Sequence, residues 1–117
     1  MKLYTFNNIE FIIGQNAQEN WDILDQAQKI NPDYLWFHLN SFPSAYVIMY
    51  ATLNQLLDNS CNEFLNYAAN LCKTNSKYKN LNDLKICYTS VKKLNKTQKI
   101  GEVTIKGKCK IITPLNI

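Results

Sequence analysis

The sequence predicts one α+β domain over residues 1–117, with two main helices and a mixed or mostly antiparallel sheet of about six to seven short strands. A length of 117 residues is typical of a single domain. A hydrophobic fraction of 46% with 19% charged residues is typical of a globular protein with a packed core. Short alternating apolar runs surround two longer stretches of helical periodicity, which together indicate an α+β fold.

The first quarter of the chain predicts a hairpin followed by a helix. Leu3–Phe6 and Glu10–Ile13 are short β-like runs, and the Asn7-Asn8 pair between them is a hairpin turn signal. Asn16 is the predicted N-cap of the first helix, and an acidic residue three positions later completes a capping pair. That helix ends at Asn31-Pro32, because proline cannot continue a helix and restricts the residue before it.

The next two predicted strands are apolar or aromatic on both faces. Tyr34–Leu39 is the clearest strand of the sequence, and Ala45–Thr52 returns after a turn. A two-sided apolar strand lies in the centre of a sheet, or has one covered face and one face that is used for binding. Both interpretations remain open at this point.

The second half of the chain predicts a helix, a strand, a basic segment and a closing hairpin. Helical and alternating periodicities distinguish these elements. The closing hairpin follows Gly101 and turns at Lys106-Gly107. The predicted elements are a helical turn at Leu53–Asn59, the second helix at Asn62–Thr74, a strand at Leu84–Thr89, a basic loop or short helix at Ser90–Ile100, and hairpin strands at Glu102–Ile105 and Lys108–Thr113.

The lysines are concentrated in the C-terminal part of the chain. Up to Asn70, Lys2 and Lys29 are set against seven acidic residues, for a net charge of −5; from Leu71 onward, eleven lysines are set against two acidic residues, for a net charge of +9. Charge this segregated favours a polyanion-binding surface over a merely solvated basic face. The chain has no arginine, which excludes bidentate recognition of guanine and leaves lysines as point charges for phosphates.

Two groups of lysines are the first candidates for phosphate contacts. Lys92, Lys93 and Lys96 form the centre of the predicted basic surface, because no structural need for charge is evident in that segment. Lys73 and Lys77 lie near the end of the second predicted helix, where the helix dipole favours cations and where they would extend the surface.

A third group of lysines is placed by strand periodicity. Lys106, Lys108 and Lys110 alternate with other residues, which predicts that they project from one strand face about 6.6 Å apart. That spacing is suited to a phosphate backbone. An edge strand whose lysines prevent sheet-to-sheet aggregation would have the same pattern.

The N-terminal half adds four candidates for the same surface. Asn16 lies at a helix N-terminus, which favours anions. His38, the single histidine, is expected to be structural or to contact a phosphate. Trp36 and Tyr46 are candidates for base stacking, although aromatic residues at strand spacing more often belong to the core.

The residue set does not indicate an enzyme. No nucleophile, metal-binding cluster or second titrating group accompanies His38, so we expect no catalysis, metal or cofactor. Cys61, Cys72, Cys87 and Cys109 have no C-x-x-C spacing and are expected to be reduced thiols, mostly in the core. We see no secretion signal and no apolar run of the ~18 residues needed to cross a bilayer, so no membrane association and a cytoplasmic location are expected.

Several short motifs, taken in order, resemble the NFACT RNA-binding domain family (NFACT-R, also called DUF814). That family includes the RNA-binding domain of ribosome quality-control factors of the Rqc and NEMF type and a small coiled-coil-domain-containing protein. The similarity runs almost from end to end. The matching pieces are Gly14-Gln15-Asn16, Glu19-Asn20, Asp33 to His38, Ser44 to Val47, Ala68-Ala69 with Ser76-Lys77, Tyr88 to Lys92 with Lys96, Gly101, and Thr113-Pro114.

The resemblance implies RNA binding, with tRNA or ribosomal RNA as the expected partner and a link to ribosome association and quality control. Asn16, His38, Lys92 and Lys96 match the family pattern position by position. Gln15 replaces a basic residue of that pattern. A protein-interaction module that uses the Tyr/Trp hairpin face, and DNA binding, are the alternatives; the oligomeric state is left open.

Overall fold

The computed structural model describes residues 1–56 and 61–114. Within them the chain forms eight strands, two helices and two short 3₁₀ turns, which confirms the α+β class and exceeds the predicted six to seven strands. The strands are β1 (Lys2–Phe6), β2 (Ile9–Ile13), β3 (Leu35–Leu39), β4 (Val47–Met49), β5 (Ile86–Ser90), β6 (Leu94–Lys96), β7 (Val103–Ile105) and β8 (Lys110–Ile112). The helices are α1 (Ala17–Ile30) and α2 (Cys61–Thr74), and the 3₁₀ turns are Leu53–Leu56 and Val91–Lys93.

Six of these strands form one antiparallel sheet in the order β1-β2-β4-β3-β5-β8, while β6 and β7 form a separate two-stranded sheet. Strand β3 is central: Trp36 lies opposite Ile48 of β4, and His38 lies opposite Cys87 of β5. The two-sided apolar pattern of the third and fourth strands therefore marks the centre of the sheet.

Both faces of the large sheet are covered, by different elements. On one face, α2 packs against Leu35, Phe37 and Leu39 of β3. On the other face, side chains of α1, the second 3₁₀ turn and β6 pack with Trp36 and Ile48. The strand period of two thus divides β3 between two hydrophobic cores.

Local signals near the N-terminus are confirmed. Asn7 and Asn8 have φ angles of +47° and +68°, and two left-handed residues are what a type I′ hairpin turn requires. Asn16 caps α1, because its Oδ1 accepts the N–H of Glu19 at 2.8 Å. The Glu19 carboxylate in turn accepts the N–H of Gln15 at 3.1 Å.

The predicted closing hairpin is wrong. β7 pairs with β6, and β8 pairs with β5, so the two predicted hairpin strands lie in different sheets. Lys106 and Lys108 lie between strands, and only Lys110 belongs to β8, so the three lysines do not share a strand face. The turn at Gly107, with φ +83°, is real. A turn signal predicts a change of direction, whereas the strand partners were decided by the free edge of β5 and by the nearby β6.

Other boundaries differ by a few residues. The predicted helical turn at Leu53–Asn59 is a 3₁₀ turn over Leu53–Leu56, and its last three positions lie outside the described residues. The basic segment Ser90–Ile100 contains a 3₁₀ turn and β6 instead of a loop alone. None of the helices described is both long enough and apolar enough to cross a membrane.

Candidate nucleic-acid interface

A groove of about 960 Å³ lies in the described part of the chain. Its walls come from segments that are distant in sequence: residues 13–17, 38–46, 75–77 and 99–103. The remaining lining residues are Lys2, Asn20, Trp36, Cys87, Ile105 and Cys109. Clefts of a few hundred to about 1,000 Å³ are typical of ligand sites.

His38 lies in the groove wall with one ring nitrogen held and the other free. Its Nδ1 is 2.7 Å from the carbonyl oxygen of Leu39, and because a carbonyl can only accept, Nδ1 carries the proton. The ring stacks on Trp36 with centroids 5.4 Å apart and meets Tyr46 edge-on at 5.6 Å. Within the described residues Nε2 makes no hydrogen bond, and it is not among the fully buried side-chain atoms.

The charge state of His38 follows from its surroundings. Burial lowers the pKa of His38 from 6.5, and the hydrogen bond to Leu39 offsets this only in part. The imidazole is therefore neutral near pH 7, with Nε2 as a hydrogen-bond acceptor. A neutral acceptor is poorly suited to a phosphate oxygen, so the geometry does not favour the expected phosphate contact by His38.

The opposite wall is a turn over residues 99–102 that is fixed against α1. The phenol of Tyr46 donates to the carbonyl oxygen of Gly101 at 2.5 Å, and the indole N–H of Trp21 donates to the carbonyl oxygen of Glu102 at 3.2 Å. Gly101 has φ +85°, and a Cβ there would lie 2.7 Å from the Cβ of Ala17. Glycine is required both by the left-handed backbone and by this close approach.

A buried side-chain amide holds the turn before α1. Asn20 is 7% exposed, and its Oδ1 accepts the N–H of Tyr46 at 3.1 Å. The N–H of Gly14 donates to the carbonyl oxygen of Tyr46 at 3.1 Å, and a Cβ on Gly14 would overlap Asn20 Oδ1. The start of α1 and β4 are thus joined where they form the groove.

Three lysines line the groove against a single carboxylate. Lys2, Lys77 and Lys99 are exposed, and Glu102 is the one acidic residue among the lining side chains. Lys2 Nζ also donates to Oδ1 of Asn75 at 3.3 Å, which connects β1 to the end of α2. The charged residues of the groove are therefore net positive, and its other lining residues are uncharged. A surface of this kind suits the phosphates of a nucleic-acid backbone.

The predicted centre of the basic surface lies elsewhere and is partly neutralised. Lys92 Nζ is 2.7 Å from Asp33 Oδ1, and Lys96 Nζ is 2.8 Å from Asp25 Oδ2. Neither these lysines nor Lys93 line the groove. Exposed ion pairs contribute only about 0–1 kcal/mol, so a phosphate can compete for these lysines, but the local excess of positive charge is small.

Most other predicted lysines also lie outside the groove. Lys73 lies in the last turn of α2, and Lys108 and Lys110 are exposed on the way into β8. Lys106 lies beside Lys93, because its N–H donates to the Lys93 carbonyl oxygen at 2.7 Å. Of the predicted polar and charged site residues, the structure brings Asn16, His38 and Lys77 together at the groove.

The predicted base-stacking role of Trp36 and Tyr46 is not supported, because neither ring presents a free face. Trp36 is 2% exposed and Tyr46 is 1% exposed, since both rings pack in the core beneath α1. A more accessible ring pair lies at the groove edge: Phe42 stacks on Tyr78 with centroids 4.3 Å apart. Lys77 Nζ lies 5.9 Å from the centroid of the Tyr78 ring.

Lys2, Asn40 and Lys99 are groove residues that the sequence did not predict. Lys2 belongs to the acidic part of the chain, and only the pairing of β1 in the sheet brings it to the groove. The turn that positions Lys99 had a signal in Gly101, but the partner of that turn is α1, which no local pattern indicates. Among the described residues, no three His, Cys, Asp or Glu side chains are grouped so as to hold a metal ion.

Comparison with known proteins agrees with this architecture. The C-terminal part of the fibronectin/fibrinogen-binding protein from Streptococcus suis is similar, with a TM-score of 0.73 and 28% sequence identity. The alignment covers 92% of this chain but 41% of the S. suis chain. No curated protein matches by sequence. Residues 2–112 match the family model described as the NFACT protein RNA binding domain, so the chain belongs to the NFACT RNA-binding domain family.

Proposed function

We propose that the chain binds structured RNA, either tRNA or ribosomal RNA, through the groove and its lysine rim, as a non-enzymatic cytoplasmic module linked to translation or ribosome quality control. Family membership supports RNA binding in general. The observation that carries the finer proposal is the groove itself, where Lys2, Lys77 and Lys99 face one carboxylate, Glu102.

The rim lysines supply affinity and the groove shape supplies selection. Each lysine that contacts a phosphate releases counterions, so binding is strong at low salt and weakens as salt rises. Because lysine contacts carry no base information and the chain has no arginine, a defined RNA shape is the feature that such a surface selects. Folded RNAs such as tRNA and ribosomal RNA present such shapes.

The titratable groups at the groove support a binding role over catalysis. Burial raises the pKa of Tyr46 to about 12, and burial together with neighbouring Cys109 raises the pKa of Cys87 to about 12. Neither group is a nucleophile or base near pH 7. His38 faces these two groups, and its Nδ1 is already committed to Leu39.

The alternative, a protein-interaction module, needs the Tyr/Trp hairpin face to be exposed. Trp36 and Tyr46 are in the core, and the remaining aromatic residues of that face, Tyr34 and Tyr50, stack on each other at 4.8 Å and are half-buried. DNA binding remains a competitor, because lysine-phosphate contacts discriminate poorly between the two nucleic acids.

The test is a titration of tRNA, a ribosomal RNA hairpin and a DNA duplex by the full chain at several salt concentrations. We expect RNA to bind more tightly than the DNA duplex, with log Kd depending linearly on log salt. The double variant Lys77→Glu with Lys99→Glu should weaken binding by at least about tenfold and reduce the salt slope by roughly 1.4 to 1.8, since two phosphate contacts are lost.

Lys29→Glu with Lys85→Glu is the matched control, because it makes the same charge change at exposed lysines that do not line the groove. Equal losses for the two double variants would refute the proposed surface. Binding that is insensitive to salt would do the same.

A further inference from the structure

Several polar groups of the groove have no partner in the fold. In the described part of the chain, the side chains of Asn40 and Ser41, Nδ2 of Asn16 and Nε2 of His38 make no hydrogen bond. The nearby Ser44 hydroxyl, by contrast, accepts the N–H of Leu39 and donates to the Ala45 carbonyl oxygen. Unpaired donors and acceptors in the lining of a concave site are available to a ligand that is itself rich in polar atoms.

The arrangement of charge favours unpaired nucleotides over a duplex. Lysines at the rim suit phosphates, whereas the uncharged amide and hydroxyl groups of Asn40 and Ser41 suit the edges of bases or sugars. The base edges of a duplex are already paired and stacked, so a duplex can reach the rim but cannot fill the groove. Nucleotides of loops, bulges and ends can insert their bases and sugars.

His38 adds a reason for ribose. Its neutral Nε2 needs a hydrogen-bond donor, and phosphate oxygens offer none. The 2′-hydroxyl is a donor that every ribonucleotide has and every deoxyribonucleotide lacks. The rim lysines cannot make that distinction.

We propose that the groove binds unpaired ribonucleotides and that His38 Nε2 accepts a hydrogen bond from a ribose 2′-hydroxyl, which makes His38 the residue that distinguishes RNA from DNA. This inference rests on the proposed function and specifies the RNA element that enters the groove, such as a loop or a free end. It assigns His38 a sugar contact in place of the phosphate contact expected from the sequence.

The first test uses the wild-type chain with three probes: a single-stranded RNA, the same strand annealed to its complement as a blunt duplex without a loop, and the single strand with 2′-fluoro in place of every 2′-hydroxyl. We expect the single strand to bind more tightly than the blunt duplex. The 2′-fluoro strand should bind about 3- to 10-fold more weakly than the RNA strand, as expected for one lost neutral hydrogen bond. Equal affinity for the single strand and the duplex, or no loss with 2′-fluoro, overturns the proposal.

The second test couples the sugar to the histidine. His38→Phe keeps an aromatic ring beside Trp36 and removes Nε2, so the variant should bind the RNA strand as weakly as wild type binds the 2′-fluoro strand. In that variant, 2′-fluoro substitution should have no further effect, which is the signature of a direct pair in a double-mutant cycle. Additive losses overturn the assignment.

Different results would contradict the proposed function and the inference about His38. A wild-type chain that binds tRNA without preferring single strands or 2′-hydroxyls contradicts this inference and leaves the proposed function standing. A chain that binds none of the RNA probes contradicts both. The wild-type comparison of probes needs no variant, so a His38→Phe chain that fails to fold does not remove the test.

Discussion

Tyr46 and Gly101, 55 positions apart in the chain, are joined by a hydrogen bond of 2.5 Å from the phenol of one to the carbonyl oxygen of the other. Tyr46 is 1% exposed, so water cannot readily replace this bond. This hydrogen bond fixes the Lys99 side of the groove.

Tyr46→Phe should destabilise the fold, because the half-buried Gly101 carbonyl loses its donor at a cost of about 1–3 kcal/mol. Tyr50→Phe is the matched control: the Tyr50 hydroxyl is buried and has no partner among the described residues, so its removal should be neutral or stabilising. Denaturant unfolding of both variants measures the difference. Equal effects would show that the Tyr46 hydrogen bond contributes nothing.

Gly101→Ala should cost more stability than Gly107→Ala. Both glycines have left-handed backbones, with φ +85° and +83°, so both alanines incur roughly the same strain of about 1–2 kcal/mol. Only at Gly101 does the added Cβ meet another residue, Ala17, at 2.7 Å, while nothing lies within 4 Å at Gly107. Thermal or denaturant unfolding should therefore show a larger loss of stability for Gly101→Ala than for Gly107→Ala. Equal losses would contradict the packing of this turn against α1.

Asp25→Asn with Asp33→Asn tests which basic surface binds RNA. These changes release Lys96 and Lys92 from their ion pairs. If the groove is the site, the RNA affinity at physiological salt should change less than about twofold, since neither Lys92 nor Lys96 lines the groove and salt screens exposed charges. A gain of about tenfold would instead favour the basic surface predicted from the sequence.

The free energy of unfolding should decrease as pH falls below about 6.5. Burial lowers the pKa of His38 in the folded chain, so the unfolded chain binds a proton first and is favoured as pH falls through 6.5, until the folded chain is protonated too. Tyr46 and Cys87, which face His38, keep their protons throughout, because their pKa values are raised to about 12.

Urea midpoints between about pH 7.5 and pH 5.5 measure this dependence, with His38→Phe as the comparison. The variant should lose the part of the slope that His38 causes. An unchanged slope in the variant would show that another group is responsible.

The parts of the fold that were predictable depend on neighbours in sequence. The Asn7-Asn8 turn and the Asn16 cap are determined by a few adjacent residues, and both formed as predicted. The partner of β7 is not determined in this way, since the choice between β6 and β8 depends on which edge the folded sheet leaves free.

The same distinction limits prediction of the site. Lys77 could be predicted from its charge and from its position near the end of the second helix. Lys2 was not predicted as a site residue, because it lies in the acidic part of the chain. Nothing in the local composition indicates that the pairing of β1 with β2 brings Lys2 to the groove. Lys92 and Lys96 were predicted from charge alone, and their carboxylate partners are 59 and 71 positions away.

The walls of the groove come from residues 13–17 near one end of the chain and residues 99–103 near the other. During synthesis on a ribosome, the first wall emerges long before the second, so a nascent chain has no complete groove until the turn at Gly101 has left the exit tunnel and docked on α1. Under the proposed function, RNA binding then requires finished folding, because a chain interrupted before residue 99 lacks one wall of the groove.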